Sequence, residues 1–486
     1  MKIANKKVTA EMLVRGALEK AKHFADYNIF TFLNEEGALK KAREIDAKIA
    51  RGEEVGRLAG VPYALKDNFL SPEGQTTAAS HILEGFVSPV TATAVEKLEA
   101  EGAIMIGRTN MDAFAHGSST ENSYFGPTHN AKDFERVAGG SSGGSAVAVA
   151  LDIVEFATGT DTGGSIRQPA SFNGVYGLKP TYGTISRYGV VAMASSTDCI
   201  GFFTKTPDDM NLLMEIAGGQ DPKDMTTLPD YYNASTEGIV TGTACPKDTL
   251  RAALAKSSCS AEHTVPVSIP SRVGIIKDFD NESVHPEIRK ALQEKIELLK
   301  SKGYEIVELE MPALKYALAA YYIIVPAEVA SNLSRYDGVR YGFRSEKSED
   351  LDALYKNTRG EGFMPENKRR IMIGNFVLSS GFYDAYFLKA AKARTLIAKE
   401  YEKAFEKCDF ILSPVTPNPA FKLGEKTSDP VTMYLEDAMT VPLNLAGVPG
   451  LTIPAGETKD GVALGLQLIG PRRSDKVLIE FAKELA

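Results

Sequence analysis

Tryptophan is absent from the 486 residues, which by itself decides little. The scarcity of cysteine and histidine excludes more. The four cysteines, Cys199, Cys245, Cys259 and Cys408, lie far apart and form no Cys-x-x-Cys pair. The first residues, MKIANKKVTAEMLVR, lack the apolar centre of a secretory leader. Reduced thiols in a cytoplasm are therefore expected. The six histidines are scattered, with none between His129 and His263, and they form no metal-binding constellation. No segment reaches 18 uninterrupted apolar residues, so no membrane span is expected. A basic excess is also missing. The formal net charge of −8 argues against a chain that itself grips nucleic acid over a broad basic face.

What is present is a soluble-type composition, 43% hydrophobic and 24% charged, long enough for one large or two ordinary domains. Two turns rich in glycine and serine bracket a run of small apolar residues. The first is Gly139-Gly140-Ser141-Ser142-Gly143-Gly144 and the second Asp161-Thr162-Gly163-Gly164-Ser165. Glycine lets backbone approach a ligand closely, serine adds hydroxyls that act as nucleophile or relay, and successive N–H groups in such turns can hold an oxyanion. With no histidine in this stretch, either a distant histidine folds in or a lysine serves as the base. A lysine base must be kept neutral by burial or by its neighbours. Lys66 is the candidate, standing at the end of the apolar run Gly60-Val61-Pro62-Tyr63-Ala64-Leu65. The competing reading of Gly139–Ser145 is a phosphate-binding loop. That pattern requires a Gly-Lys-[Ser/Thr] ending, and none stands here.

Both turns, Lys66 and their order resemble the amidase signature family. Ser141 stands 75 residues after Lys66, and Ser165 stands 24 after Ser141, spacings that fit the family. Carried over position by position, the resemblance implies Ser165 as the acylated nucleophile, Ser141 as the bridging serine of a cis peptide and Lys66 as the base. The N–H groups of Thr162, Gly163, Gly164 and Ser165 would form the oxyanion hole. The word GSSTENSYFGPTHN, from Gly117 to Asn130, is similar to one branch of that family, the glutaminase subunits of tRNA-dependent amidotransferases. In that branch glutamine would be held by Arg370 at its carboxylate and Asp437 at its ammonium, with Tyr321 beside them and Arg359 as runner-up to Arg370. Glutamine carries both charges and needs opposite partners when desolvated.

The fold expected from the resemblance and from the βαβ rhythm is α/β, a central mixed sheet with helices on both faces. A single domain would span 1–486. Its parts would be N-terminal helices (9–51), a catalytic core (56–203), an insertion or extended linker (218–272), a helical substrate cap (312–402) and the C-terminal part of the core sheet (410–471). The periodicity predicts helices over 9–27, 34–51, 91–101, 145–150 and 286–301, and strands at 58–66, 103–107, 153–158, 273–276 and 304–309.

The function implied is hydrolysis of glutamine, with the ammonia passed to a partner that amidates Glu-tRNA(Gln) or Asp-tRNA(Asn). The expected partners are the B and C subunits of the amidotransferase in a heterotrimer, with charged tRNA held mainly by the B subunit. This chain would need no cofactor, and ATP and Mg2+ would be used at the partner subunit. The alternatives are a stand-alone amidase acting on small amides and a catalytically silent scaffold subunit. Three departures from the branch are visible. Phe172-Asn173-Gly174 replaces Phe-Cys-Gly, His129-Asn130-Ala131 replaces a basic-Asn-Pro run, and Asp198-Cys199-Ile200-Gly201-Phe202 replaces Asp-Gln-Ile-Gly-Pro.

Overall fold

The computed structural model describes residues 8–232 and 271–485 apart from 280 and 348. One sheet of 11 strands runs through it. The strands are β1 (Phe30–Leu33), β2 (Pro62–Lys66), β3 (Ile104–Thr109), β4 (Phe156–Asp161), β5 (Tyr176–Lys179), β6 (Cys199–Thr204), β7 (Arg272–Ile276), β8 (Glu305–Leu309), β9 (Phe410–Pro414), β10 (Gly450–Glu457) and β11 (Ala463–Ile469). Their order across the sheet is β1-β3-β2-β4-β6-β5-β10-β11-β9-β7-β8. The sheet is mixed: β3-β2-β4 and β9-β7-β8 are parallel, and the joining pairs are antiparallel.

Strand alternation puts two apolar layers on opposite faces. From β2 and β3, Tyr63, Leu65 and Met105 join one buried cluster, whereas Ala64, Ile104 and Ile106 join another. Helices cover both. Thr93–Ala100, Pro207–Ala217 and Pro286–Ser301 pack on the first face, and Ala10–His23 and Gly143–Ala150 on the second. The helix boundaries follow local chemistry. Thr9 caps the first helix by accepting from the Met12 N–H, and Pro286 starts its helix at a position where a missing N–H costs nothing.

The structure moves some expected boundaries. Ile153 and Val154 lie before β4, which runs through Phe156–Asp161 and so carries the second glycine turn directly at its end. The strands β1, β5 and β6 and the helix Arg167–Asn173 lie within segments whose sequence predicts neither strand nor helix. The expected insertion or linker, 218–272, lies mostly outside the described residues. Its described beginning is held in place: Ser186 Oγ donates to Asp221 at 2.5 Å, and Tyr231 Oη donates to Asp475 at 2.6 Å.

Helices dominate 312–407. Ala317–Asn332 is apolar almost all round, and Pro312–Arg335 is long and apolar enough on average to cross a membrane. It is instead core, with Ala317, Tyr321, Val325 and Val329 buried in a third cluster. This helix packs against Pro365–Leu378, and together they bring Tyr321, Tyr322 and Arg370 to the sheet's active edge.

Candidate active site

β2 and β4 pair side by side and in parallel, so their C-terminal ends deliver Lys66 and Asp161 to the same edge. Lys66 is fully buried. Its Nζ lies 2.9 Å from Ser141 Oγ, 2.7 Å from Ser142 Oγ and 2.9 Å from Thr160 Oγ1. Ser142 directs its own hydrogen to the Thr160 carbonyl at 3.3 Å, and Thr160 Oγ1 accepts from Asn68 Nδ2 at 3.1 Å. Both are therefore set to accept from Lys66. A neutral amine has two hydrogens for these two acceptors and one lone pair for the hydroxyl of Ser141. Burial lowers Lys66 to about 7, against the pull of Asp112, Asp161 and Asp198.

The peptide Gly140–Ser141 is cis. The Ser142 N–H donates to the carbonyl of Ser165 at 3.2 Å, which ties the two turns together. Ser165 is 9% exposed, the most accessible of the three residues. Among the described residues its hydroxyl makes no hydrogen bond.

The turn around Ser165 is organised by Asp161. Its carboxylate accepts from the N–H groups of Gly164 (2.9 Å), Ile166 (3.2 Å) and Arg167 (3.4 Å), and from the Arg167 guanidinium at 3.0 Å through both Nε and Nη2. Burial alone would push the Asp161 carboxyl up, but Arg167 holds it at about 2. This corrects one expectation. The Gly164 N–H is spent on Asp161 and does not face an oxyanion. Among the described residues the N–H groups of Thr162, Gly163 and Ser165 have no acceptor, and they remain as donors. Gly163 is required for space, since a Cβ there would overlap the Tyr321 hydroxyl.

Tyr321, Arg370 and Asp437 converge on this turn, but through a residue that the sequence did not single out. Tyr322 Oη donates to Asp437 Oδ2 at 2.7 Å, and its ring lies 5.2 Å from the Arg370 guanidinium. Ser118 Oγ donates to Asp437 Oδ1 at 2.8 Å. Tyr434 stacks on Tyr322 at 3.9 Å and donates to Glu366, which also accepts from Arg370 Nε at 2.9 Å. Burial raises Asp437 to about 7. The adjacency of Tyr321 and Tyr322 on one helix explains the missed choice: sequence does not say which faces Asp437. Ser118 stands in the word that carries the resemblance to the glutaminase branch. Arg359 is elsewhere, donating to the carbonyls of Leu333 and Tyr336 at 2.9 Å. A cavity of about 220 Å³ opens beyond Thr160 and Thr162, lined also by Asn68, Asp198 and Cys199.

The departures from the family pattern have local explanations. Asn173 Nδ2 donates to the carbonyls of Ala138 and Pro169 at 2.7 and 2.8 Å, while its oxygen accepts from the Ala131 N–H at 3.0 Å. Cys199 is buried, with its sulfur 4.0 Å from Lys179 Nζ.

A profile of the Amidase family matches residues 12–479. The chain belongs to the amidase family. This amidase is 48% identical over 461 residues to the glutamyl-tRNA(Gln) amidotransferase A subunit of Carboxydothermus hydrogenoformans, covering 93% of this chain and 88% of the relative. It is 47% identical over 485 residues to the protein of the same name from a Synechococcus species, covering 99% and 89%. Among solved structures it is similar to the glutamyl-tRNA(Gln) amidotransferase A subunit of Thermotoga maritima, with a TM-score of 0.76 and 37% identity over 98% of this chain and 91% of that one. A bacterial aryl acylamidase of the amidase signature family, 22% identical with a TM-score of 0.81, shares the fold. The mixed sheet with helices on both faces is thus the family's fold.

Proposed function

We propose that this amidase is the glutaminase subunit of a tRNA-dependent amidotransferase. The observation that carries the chemistry is the lysine amine held by three hydroxyls one turn away from a serine with three unpartnered N–H groups around it. Neutral Lys66 takes the proton of Ser141, and Ser141 takes that of Ser165 as its oxygen attacks the side-chain amide carbon of glutamine. The developing oxyanion is met by the N–H groups of Thr162, Gly163 and Ser165. The proton returns along the same relay to the leaving nitrogen, and ammonia departs, leaving an acyl-Ser165. Water, deprotonated by the same relay, attacks the ester and releases glutamate.

Substrate choice is read from the aromatic pair. Arg370 faces the α-carboxylate and Asp437 the α-ammonium, with Tyr322 between them and Tyr321 against the oxyanion turn. A carboxyl raised to about 7 in the empty site is lowered by an arriving ammonium, so binding ionises it. The names of the relatives support partners of the B and C type, with ATP, Mg2+ and charged tRNA handled there, in a cytoplasm. The single-domain division, with 312–402 as cap, belongs to the same proposal.

The test is ammonia release from glutamine by wild type and Ser165→Ala, each with and without partner subunits, ATP and charged tRNA. Activity that requires Ser165 and rises in the full complex is expected. Wild type that ignores glutamine in every condition, yet cleaves simple amides, would leave a stand-alone amidase instead.

A further inference from the structure

Asp112 takes no part in the steps above, yet it touches both halves of the site. Its carboxylate is fully enclosed. Oδ2 accepts from the Thr120 N–H at 2.9 Å and Oδ1 from the Asn122 N–H at 3.1 Å. Its own N–H donates to the Ser141 carbonyl at 3.3 Å. A Cβ added at Gly117 or at Gly140 would overlap that same carboxylate. One side chain is thus wedged between the loop 117–122 and the cis peptide that carries Ser141. The loop's other contact is with the substrate subsite, where Ser118 donates to Asp437.

We propose that Asp112 is a positioning residue that couples the ammonium subsite at Asp437 to the Lys66–Ser141 relay. The coupling is steric and electrostatic. Close-packed neighbours with no spare volume pass on a displacement, and a carboxylate with two N–H donors resists being moved off them. A ligand that draws Ser118 and Asp437 together shifts the loop, and the loop carries the carboxylate against Gly140. The proposal rests on the glutaminase reading for the nature of that ligand. Three carboxylates face Lys66. Asp161 is neutralised by Arg167, and Asp198 accepts from Thr162 Oγ1 at 2.6 Å and from the N–H groups of Met193 and Ala194. Asp112 is held by the N–H groups of the loop, so its field at Lys66 depends on where the loop sits.

The experiment uses the full-length chain in two variants. Asp112→Asn removes the charge, and Gly117→Ala displaces the carboxylate with its charge intact. Three quantities are read: kcat and KM for glutamine, kcat and KM for a neutral aliphatic amide, and the pH dependence of Ser165 phosphonylation by a fluorophosphonate. Both variants should raise KM for glutamine about tenfold, the loss expected when a charge-assisted contact is misplaced, while KM for the neutral amide stays put. Only Asp112→Asn should move the acid limb of phosphonylation to lower pH, because loss of a negative neighbour favours the neutral amine. Should Asp112→Asn fail to fold, Gly117→Ala decides by its KM pattern. An unmoved KM for glutamine in the folded variants, an unmoved limb in Asp112→Asn, or equal KM effects on both amides overturns the coupling. If wild type ignores glutamine altogether, the glutaminase reading falls and the limb alone judges Asp112.

Discussion

The amine of Lys66 makes a quantitative prediction. Its fall from 10.5 to about 7 amounts to about 5 kcal/mol in favour of the neutral form. At pH 8 about nine tenths of the molecules carry a neutral amine, and at pH 6 about one tenth do. Phosphonylation of Ser165 by a fluorophosphonate should therefore fall about tenfold per pH unit below pH 7 and level off above 8. Lys66→Met keeps the apolar stem but has no lone pair of comparable basicity. It should cut the plateau rate about 10²–10⁴-fold and abolish the limb. Stability carries an independent signature. Folded Lys66 holds its proton less tightly than the unfolded lysine, so between about pH 7 and 10.5 the unfolded chain binds the extra proton. That term raises stability as pH rises through the window, and below pH 7 its cost is complete. Denaturant unfolding of wild type relative to Lys66→Met should thus gain about 3 kcal/mol between pH 7 and 9.5. A limb near pH 10, a wild-type rate independent of pH, or an unchanged stability difference would refute a neutral lysine base.

Two further outcomes follow from the turn that presents Ser165. Arg167→Met leaves the Asp161 carboxylate buried without its cation and should cost about 3–5 kcal/mol by denaturant titration; the ion pair's contribution in wild type should fade as pH drops from about 4 towards 2. Gly163→Ala places a Cβ against the Tyr321 hydroxyl, where overpacking costs about 1–3 kcal/mol, and it should lower kcat for glutamine while melting shifts modestly; an active variant with unchanged kcat would show that the turn tolerates displacement.

Much of the fold was legible because its elements state their period. Pro286–Ser301 begins at a proline and ends before Gly303, and the apolar run Pro62–Lys66 reads as a buried strand. Strands β5 and β6 were not legible, because Tyr176–Lys179 and Cys199–Thr204 are short, carry glycine and are buried on both faces, so no alternation marks them. The expected beginning of β4 at Ile153 was displaced for a similar reason. Ile153 and Val154 are buried but precede the ladder, and apolarity alone does not separate a strand from the turn that feeds it.

The sequence by itself determined the chemical vocabulary: two glycine-serine turns, a lysine at a strand's end, and an arginine, an aspartate and a tyrosine pair far along the chain. Those follow from residue type and order, which local physics reads directly. Only the tertiary structure decided their use. It placed Ser142 and Thr160 as acceptors around Lys66, gave the Gly164 N–H to Asp161, turned Tyr322 rather than Tyr321 to Asp437, and wedged Asp112 between loop and cis peptide. Each of these is set by which long-range neighbour fills the last hydrogen-bonding valence or the last ångström of space, and no local pattern encodes that.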